Sequence, residues 1–172
     1  MKYKYILFDL DGTITESGPG IMNSVEYALN KMNREVGDRD TLKKFIGPPL
    51  TESMEKYYGM SEEEVLLGVK YYREYYAVKG IFENSVYEGL AETLEFLKNE
   101  GYILAVATSK PEEYAKRIAA KFDFAKYFAG IYGATMDGSL IRKADVIRYA
   151  LDNLGVEREN YDQVVMVGDR NN

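Results

Sequence analysis

The stretch Tyr5-Ile6-Leu7-Phe8 is apolar, β-prone and cut off by Asp9, and runs of this kind recur down the chain with room for a helix between them. Ile103-Leu104-Ala105-Val106-Ala107 gives way to Thr108-Ser109-Lys110, and Val164-Val165-Met166-Val167 to Gly168-Asp169-Arg170. Apolar runs this short, without alternation, predict strands buried on both faces. Gly130-Ile131-Tyr132-Gly133 predicts a further short strand. Helical spacing fills the gaps. Leu90, Leu94 and Leu97 mark a helix that Gly101 can end, Pro111 to Phe122 form another with proline in its first turn, and Ala144 to Leu154 form a third, stopped by Gly155. Strands alternating with helices specify an α/β fold with a parallel, doubly wound sheet and right-handed crossovers.

One segment breaks the alternation. From about Pro19 to Lys79 the periods are helical, with no convincing strand. Ile21, Val25, Ala28, Leu29 and Met32 share a helix face. Ser61 and Glu64 form a capping box that opens a long helix. Glu62-Glu63-Glu64 suits a helix start. Gly47-Pro48-Pro49 and Tyr58-Gly59 separate the helices. Residues 16–85 are therefore expected to form a helical cap inserted into a core made of residues 1–15 and 86–172. Tyr71, Tyr72, Tyr75 and Tyr76 follow a helix face, so packing inside the cap is expected of them rather than an aromatic binding box.

Composition narrows the function. The 172 residues carry a formal net charge of -6, which argues against a nucleic-acid partner. No apolar run approaches the roughly 18 residues needed to span a bilayer, so no membrane partner is expected. The chain has no cysteine, which fits a reducing, cytoplasmic setting. It also has no histidine, which removes the commonest general base and every Ser-His or Cys-His nucleophile. Chemistry here has to come from carboxylates, hydroxyls, lysines or a metal.

Ligands of such sheets bind beyond the carboxyl ends of the strands. Three strands end there on polar residues: Asp9-Leu10-Asp11-Gly12-Thr13, Thr108-Ser109-Lys110 and Gly168-Asp169-Arg170. An aspartate can attack a phosphate monoester to give an acyl-phosphate, which splits one hard step into two. A second carboxyl can protonate the leaving oxygen and later take a proton from water. Magnesium prefers hard oxygens and keeps several waters. Asp9 and Asp169 are candidate ligands, with a main-chain oxygen to complete the protein's share. Thr108 and Ser109, where a strand turns into a helix, offer N–H and hydroxyl donors to an anion. Ser109 and Glu112 also read as a capping box. Lys143 supplies a point charge, with Arg142 as the alternative. The plain reading of Asp9 and Asp11 is a solvated strand end followed by an Asp-Gly turn.

At these residues the chain resembles the phosphatases of the haloacid dehalogenase superfamily, in the phosphoglycolate-phosphatase-like branch with a helical cap. Four motifs match in order: Phe8 to Thr13, Val106 to Pro111, Lys143-Ala144-Asp145, and Val165 to Arg170. The resemblance implies a Rossmann-like core and a magnesium-dependent phosphoric monoester hydrolase acting on a small phosphorylated metabolite. It implies Asp9 as nucleophile and Asp11 as acid/base. Magnesium would be held by Asp9, Asp169 and the main chain of Asp11. Gly12, Thr13, Thr108, Ser109 and Lys143 would hold the phosphoryl group. Gly47 and Pro48, in Phe45 to Leu50, match the family's substrate-facing loop. Phosphoglycolate, nucleoside 5′-monophosphates and sugar phosphates all fit, and the expected assembly is a monomer or homodimer. Alternatives are a phosphotransferase like the β-phosphoglucomutases and an inactive phosphate-binding module. The family usually places another aspartate, a strand and helices after its fourth motif. This sequence stops at Asn171-Asn172, so part of the core's carboxyl-terminal end is expected to be missing.

Overall fold

A computed structural model describes residues 2–169. In chain order its strands and α-helices are β1 (Tyr5–Phe8), β2 (Thr15–Glu16), α1 (Gly18–Lys31), α2 (Leu50–Tyr58), α3 (Glu62–Tyr76), β3 (Ser85–Val86), α4 (Leu90–Asn99), β4 (Ile103–Pro111), α5 (Glu112–Lys121), β5 (Gly130–Ala134), α6 (Lys143–Asn153) and β6 (Val164–Val167). The chain divides into two compact units, Met1–Thr15 with Val86–Asn172, and Glu16–Ser85.

The first unit is an α/β fold around a parallel sheet of order β5-β4-β1-β6. Every residue of β1 is buried, as its unbroken apolar run requires. Alternate residues serve opposite faces. Tyr5, Leu7, Ala105 and Ala107 pack with Val146, Ala150 and Leu151 of α6 and with Val156. Phe8 points the other way and meets Phe128 edge-on, with ring centres 5.9 Å apart. Phe8 pairs with both Val106 and Val167. That register ends β1 and β6 at one level, and β4 runs past it to Pro111.

Two expectations need correction. The strand expected at Ile103–Ala107 runs on to Pro111, and α5 begins only at Glu112. Ser109 therefore sits inside a strand, two residues before Pro111, which holds the N-cap position, and it forms no capping box. Glu112 instead accepts Gly133 N–H at 3.2 Å and pairs with Lys116 at 2.5 Å. The two-residue strands β2 and β3, which pair with each other, are too short to leave a periodic signal.

The second unit contains α1, α2 and α3, with a 3-10 stretch at Arg39–Phe45. Ser61 and Glu64 form the expected capping box, and Arg34 reaches Glu64 at 2.5 Å. Of the four tyrosines of α3 named above only Tyr76 is buried; Tyr72 stacks on it at 5.1 Å. Tyr71 and Tyr75 are half-buried. Tyr71 has Lys31 over its ring, while Tyr75 hydrogen-bonds Glu83 at 2.9 Å. The core expectation holds for one face of the helix and fails at its shoulder.

α1 lies directly on the backbone at Gly80. Gly20 N–H donates to Glu83 O at 3.0 Å, and a Cβ on Gly20 would come within 1.9 Å of Gly80 O. Backbone cannot yield as a flexible side chain does, so Gly20→Ala is expected to destabilise this unit by about 2 kcal/mol. Denaturant unfolding would record this as a lower midpoint at unchanged slope.

Candidate active site

The loop after β1 is built around one carbonyl. Leu10 O accepts the backbone N–H groups of Thr13, Ile14 and Thr15 at 3.3, 2.9 and 3.0 Å, and Gly12 N–H returns to Thr15 O at 2.8 Å. Leu10 is fully buried and anchors the turn. Gly12 has φ +77°, a left-handed conformation that glycine adopts without strain. A Cβ there would also lie 2.7 Å from Asp169 Oδ2, so glycine lets the end of β6 close onto this loop.

Each of the two aspartates of the loop faces a lysine from elsewhere in the unit. Asp9 Oδ2 is 2.5 Å from Lys143 Nζ, the first residue of α6, and Asp9 Oδ1 accepts Leu10 N–H at 2.7 Å. Asp11 Oδ1 is 3.0 Å from Lys110 Nζ. Lys143 Nζ and Asp11 Oδ1 make no hydrogen bond of ordinary geometry, so charge holds these pairs. All four side chains are at least four-fifths buried, which weakens screening by solvent. Thr108, at 1% exposure, is the most enclosed of the expected phosphate contacts, and its Oγ1 accepts Lys110 N–H at 3.2 Å. Thr13 Oγ1 is buried without a hydrogen-bond partner. Ser109, the next residue of β4, is half-buried.

β1, β4, α6 and the end of β6 thus bring Asp9, Asp11, Gly12, Thr13, Thr108, Ser109, Lys143 and Asp169 to one edge of the sheet. Arg142 caps α6 without entering either ion pair. Gly47, at φ +97°, and Pro48 lie in the second unit, just before α2. Arg170, which closes the fourth motif, lies outside the described residues. Lys110 is a residue that sequence reading placed at this edge but gave no role of its own. It ends an apolar strand run, and a lysine there looks like the first solvated residue.

The donor set suits magnesium. Asp9 and Asp169 offer hard carboxylate oxygens, and Gly12 gives Asp169 its room. Among the described residues no three acidic, histidine or cysteine side chains gather into a metal cage. That is compatible with an ion that takes one or two carboxylates and keeps its waters. The Asp11 side chain is turned to Lys110, which leaves its main-chain oxygen as the share it can offer.

The haloacid dehalogenase-like hydrolase model matches residues 6–172. The chain belongs to that family. It is 42% identical over 170 residues to a 5′-nucleotidase of Pseudomonas aeruginosa, covering 99% of this chain and 76% of that one. It is 40% identical to the tyrosine-protein kinase PtkA of Mycobacterium tuberculosis, over 96% of this chain but 55% of that protein. The crystal structure of a predicted phosphatase from Clostridium acetobutylicum superposes with a TM-score of 0.93 at 47% identity, covering 99% of this chain and 77% of that one. None of the described helices of this hydrolase is long and apolar enough to cross a membrane.

The turn that delivers Lys143 carries its own electrostatic lock. Asp137 Oδ1 accepts Ser139 N–H at 2.9 Å and Ser139 Oγ–H at 2.7 Å, and Thr135 Oγ1 accepts Leu140 N–H at 2.9 Å. The Ser139 N–H above all, then the Thr135 and Ser139 hydroxyls, lower the Asp137 carboxyl from 3.8 to about 2. A depressed carboxylate contributes stability that is present above its unfolded value and lost as pH falls through its folded one. The Asp137 carboxyl carbon is expected to titrate near 2 by NMR, with the turn loosening over the same range. Ser139→Pro, which removes the N–H, should return the midpoint toward 3.8.

Proposed function

We propose that this hydrolase cleaves a small phosphate monoester through a phosphorylated Asp9, with magnesium as cofactor. The observation that supports this best is the pairing of Asp9 with Lys143 and of Asp11 with Lys110 at the carboxyl edge of the sheet. Asp9 attacks phosphorus. Asp11 gives a proton to the departing ester oxygen and later takes one from the water that hydrolyses the aspartyl-phosphate. Lys143, so close to the nucleophile, steadies the negative charge of the phosphoryl oxygens. Thr108 with Thr13, and Ser109 beside them, supply hydroxyl and N–H donors, and Gly12 lets the backbone approach closely. Asp9, Asp169 and the Asp11 main-chain oxygen are the groups that would hold magnesium, which when bound offsets phosphoryl charge.

Choice of the leaving group is assigned to residues 16–85, Gly47 and Pro48 among them. The Pseudomonas aeruginosa relative is named a 5′-nucleotidase, which makes nucleoside 5′-monophosphates the first esters to test. The kinase name of the Mycobacterium tuberculosis relative supports a second reading. In it an alcohol takes the phosphoryl group from Asp9 in place of water. Transfer to added alcohols, measured beside release of free phosphate, separates the two.

Turnover of an aryl phosphate is expected to need magnesium, to stop with a chelator and to return when the ion is restored. Asp9→Asn is expected to lower kcat by about 1000-fold or more, as removal of a nucleophile does. Acid-quenched enzyme should carry one phosphoryl group on Asp9 by peptide mass spectrometry. An unchanged rate in Asp9→Asn would overturn the assignment.

A further inference from the structure

Lys110 is a charged residue inside a strand, 8% exposed, where an ammonium is costly unless it is paired. Its neighbourhood is built to bring it to Asp11. β4 and β5 stay in register as far as Thr108↔Gly133 and then slip before Pro111↔Ala134. Irregularities of this kind re-aim side chains beside active sites. The slip is packed tightly, since a Cβ on Gly133 would lie 2.5 Å from Lys110 O. Thr108 Oγ1 holds the Lys110 N–H. The ammonium then meets one particular oxygen of Asp11, Oδ1, at 3.0 Å, with the two side chains 5% and 9% exposed.

A carboxyl acting as an acid has to present its proton-bearing oxygen to the leaving group. Resting on the hydrolysis proposed above, we propose that Lys110 is a positioning residue that holds Asp11 Oδ1 both in the carboxylate of the ion pair and in the acid, where Oδ1 is the carbonyl oxygen, and so leaves Oδ2 to carry and deliver the proton. In the first step an Asp9 oxygen forms its bond to phosphorus and the bond from phosphorus to the ester oxygen breaks. The Asp11 proton moves to that oxygen. The products are an alcohol, the aspartyl-phosphate and the Asp11 carboxylate. Lys110 neither gives nor takes a proton. Correct orientation of an acid affects rate steeply, and Lys110 supplies it from a strand rather than from a mobile loop.

The leaving group separates positioning from simple support of the fold. A nitrophenolate departs with little help, whereas a methoxyphenolate depends on the acid. The probes are phenyl phosphates bearing a nitro group, no substituent or a methoxy group, with magnesium present. Because general acids contribute about 100-fold or more, Lys110→Met should cost the methoxy ester at least about tenfold more than the nitro ester. Log kcat then falls more steeply with leaving-group pKa. Lys110→Arg, which keeps the charge, should recover most of the slope. In an Asp11→Asn background, Lys110→Met should leave the slope where Asp11→Asn alone puts it. That double variant removes both charges of the buried pair, so it also serves if Lys110→Met alone unfolds. Equal losses on all three esters, or further steepening in the double variant, overturn the positioning role while leaving hydrolysis through Asp9 intact. A wild-type chain that cleaves none of the esters, or an Asp9→Asn variant that cleaves them all, overturns both.

Discussion

Two ammonium groups buried against two carboxylates hold the sheet edge together. Asp9 and Asp11 stand two residues apart in one loop, and their like charges repel. Lys143 and Lys110 make the arrangement tolerable. Removing one partner of a buried pair costs about 3–5 kcal/mol, a large share of the 5–15 kcal/mol that keeps a typical domain folded. The pairs hold only while β4 and α6 keep their places against β1. The core of Leu7, Ala105, Ala107, Val146 and Ala150 enforces that placement. Apolar packing under the sheet and charge at its edge therefore depend on one another.

Backbone geometry does the finer work. The loop closes on the Leu10 carbonyl, Gly12 adopts a conformation that suits glycine, and the close approach of Asp169 leaves no room for a side chain there. Lys110 is buried at the slip between β4 and β5, and the hydrogen bonds around Asp137 set the turn that leads to Lys143. The charged side chains of this edge are ordinary residues, placed by unusual stretches of main chain.

Much of this was legible in the sequence. A run such as Tyr5–Phe8 can be little other than a strand buried on both faces, and its abrupt end at Asp9 locates the carboxyl edge of the sheet. The order of strands and helices then limits the topology. Lys143 could be assigned because it opens a helix. Lys110 could be placed at the edge but its partner could not be read, because nothing local shows that a lysine at the end of an apolar run folds inward; it sits at the register slip against β5, 20 residues and more away. Ser109 misled for a related reason. Its spacing to Glu112 suits a capping box, but β4 stays extended to Pro111, so the spacing has no helix to cap. Pairings of two residues, as in β2 and β3, have no period to read.

The Leu10-centred turn has one more consequence. Its hydrogen bonds join residues no more than five apart, so the spacing between Asp9 and Asp11 is a local property that even a loosely folded chain can sample. Their counter-charges arrive from positions about a hundred residues or more downstream. Loop closure over such distances follows collapse and is slow by comparison. The spacing of the acidic pair is thus set locally, and its electrostatic environment is complete only with β4 and α6 in place against β1. The full charge arrangement at this edge is in effect a report that the sheet has formed.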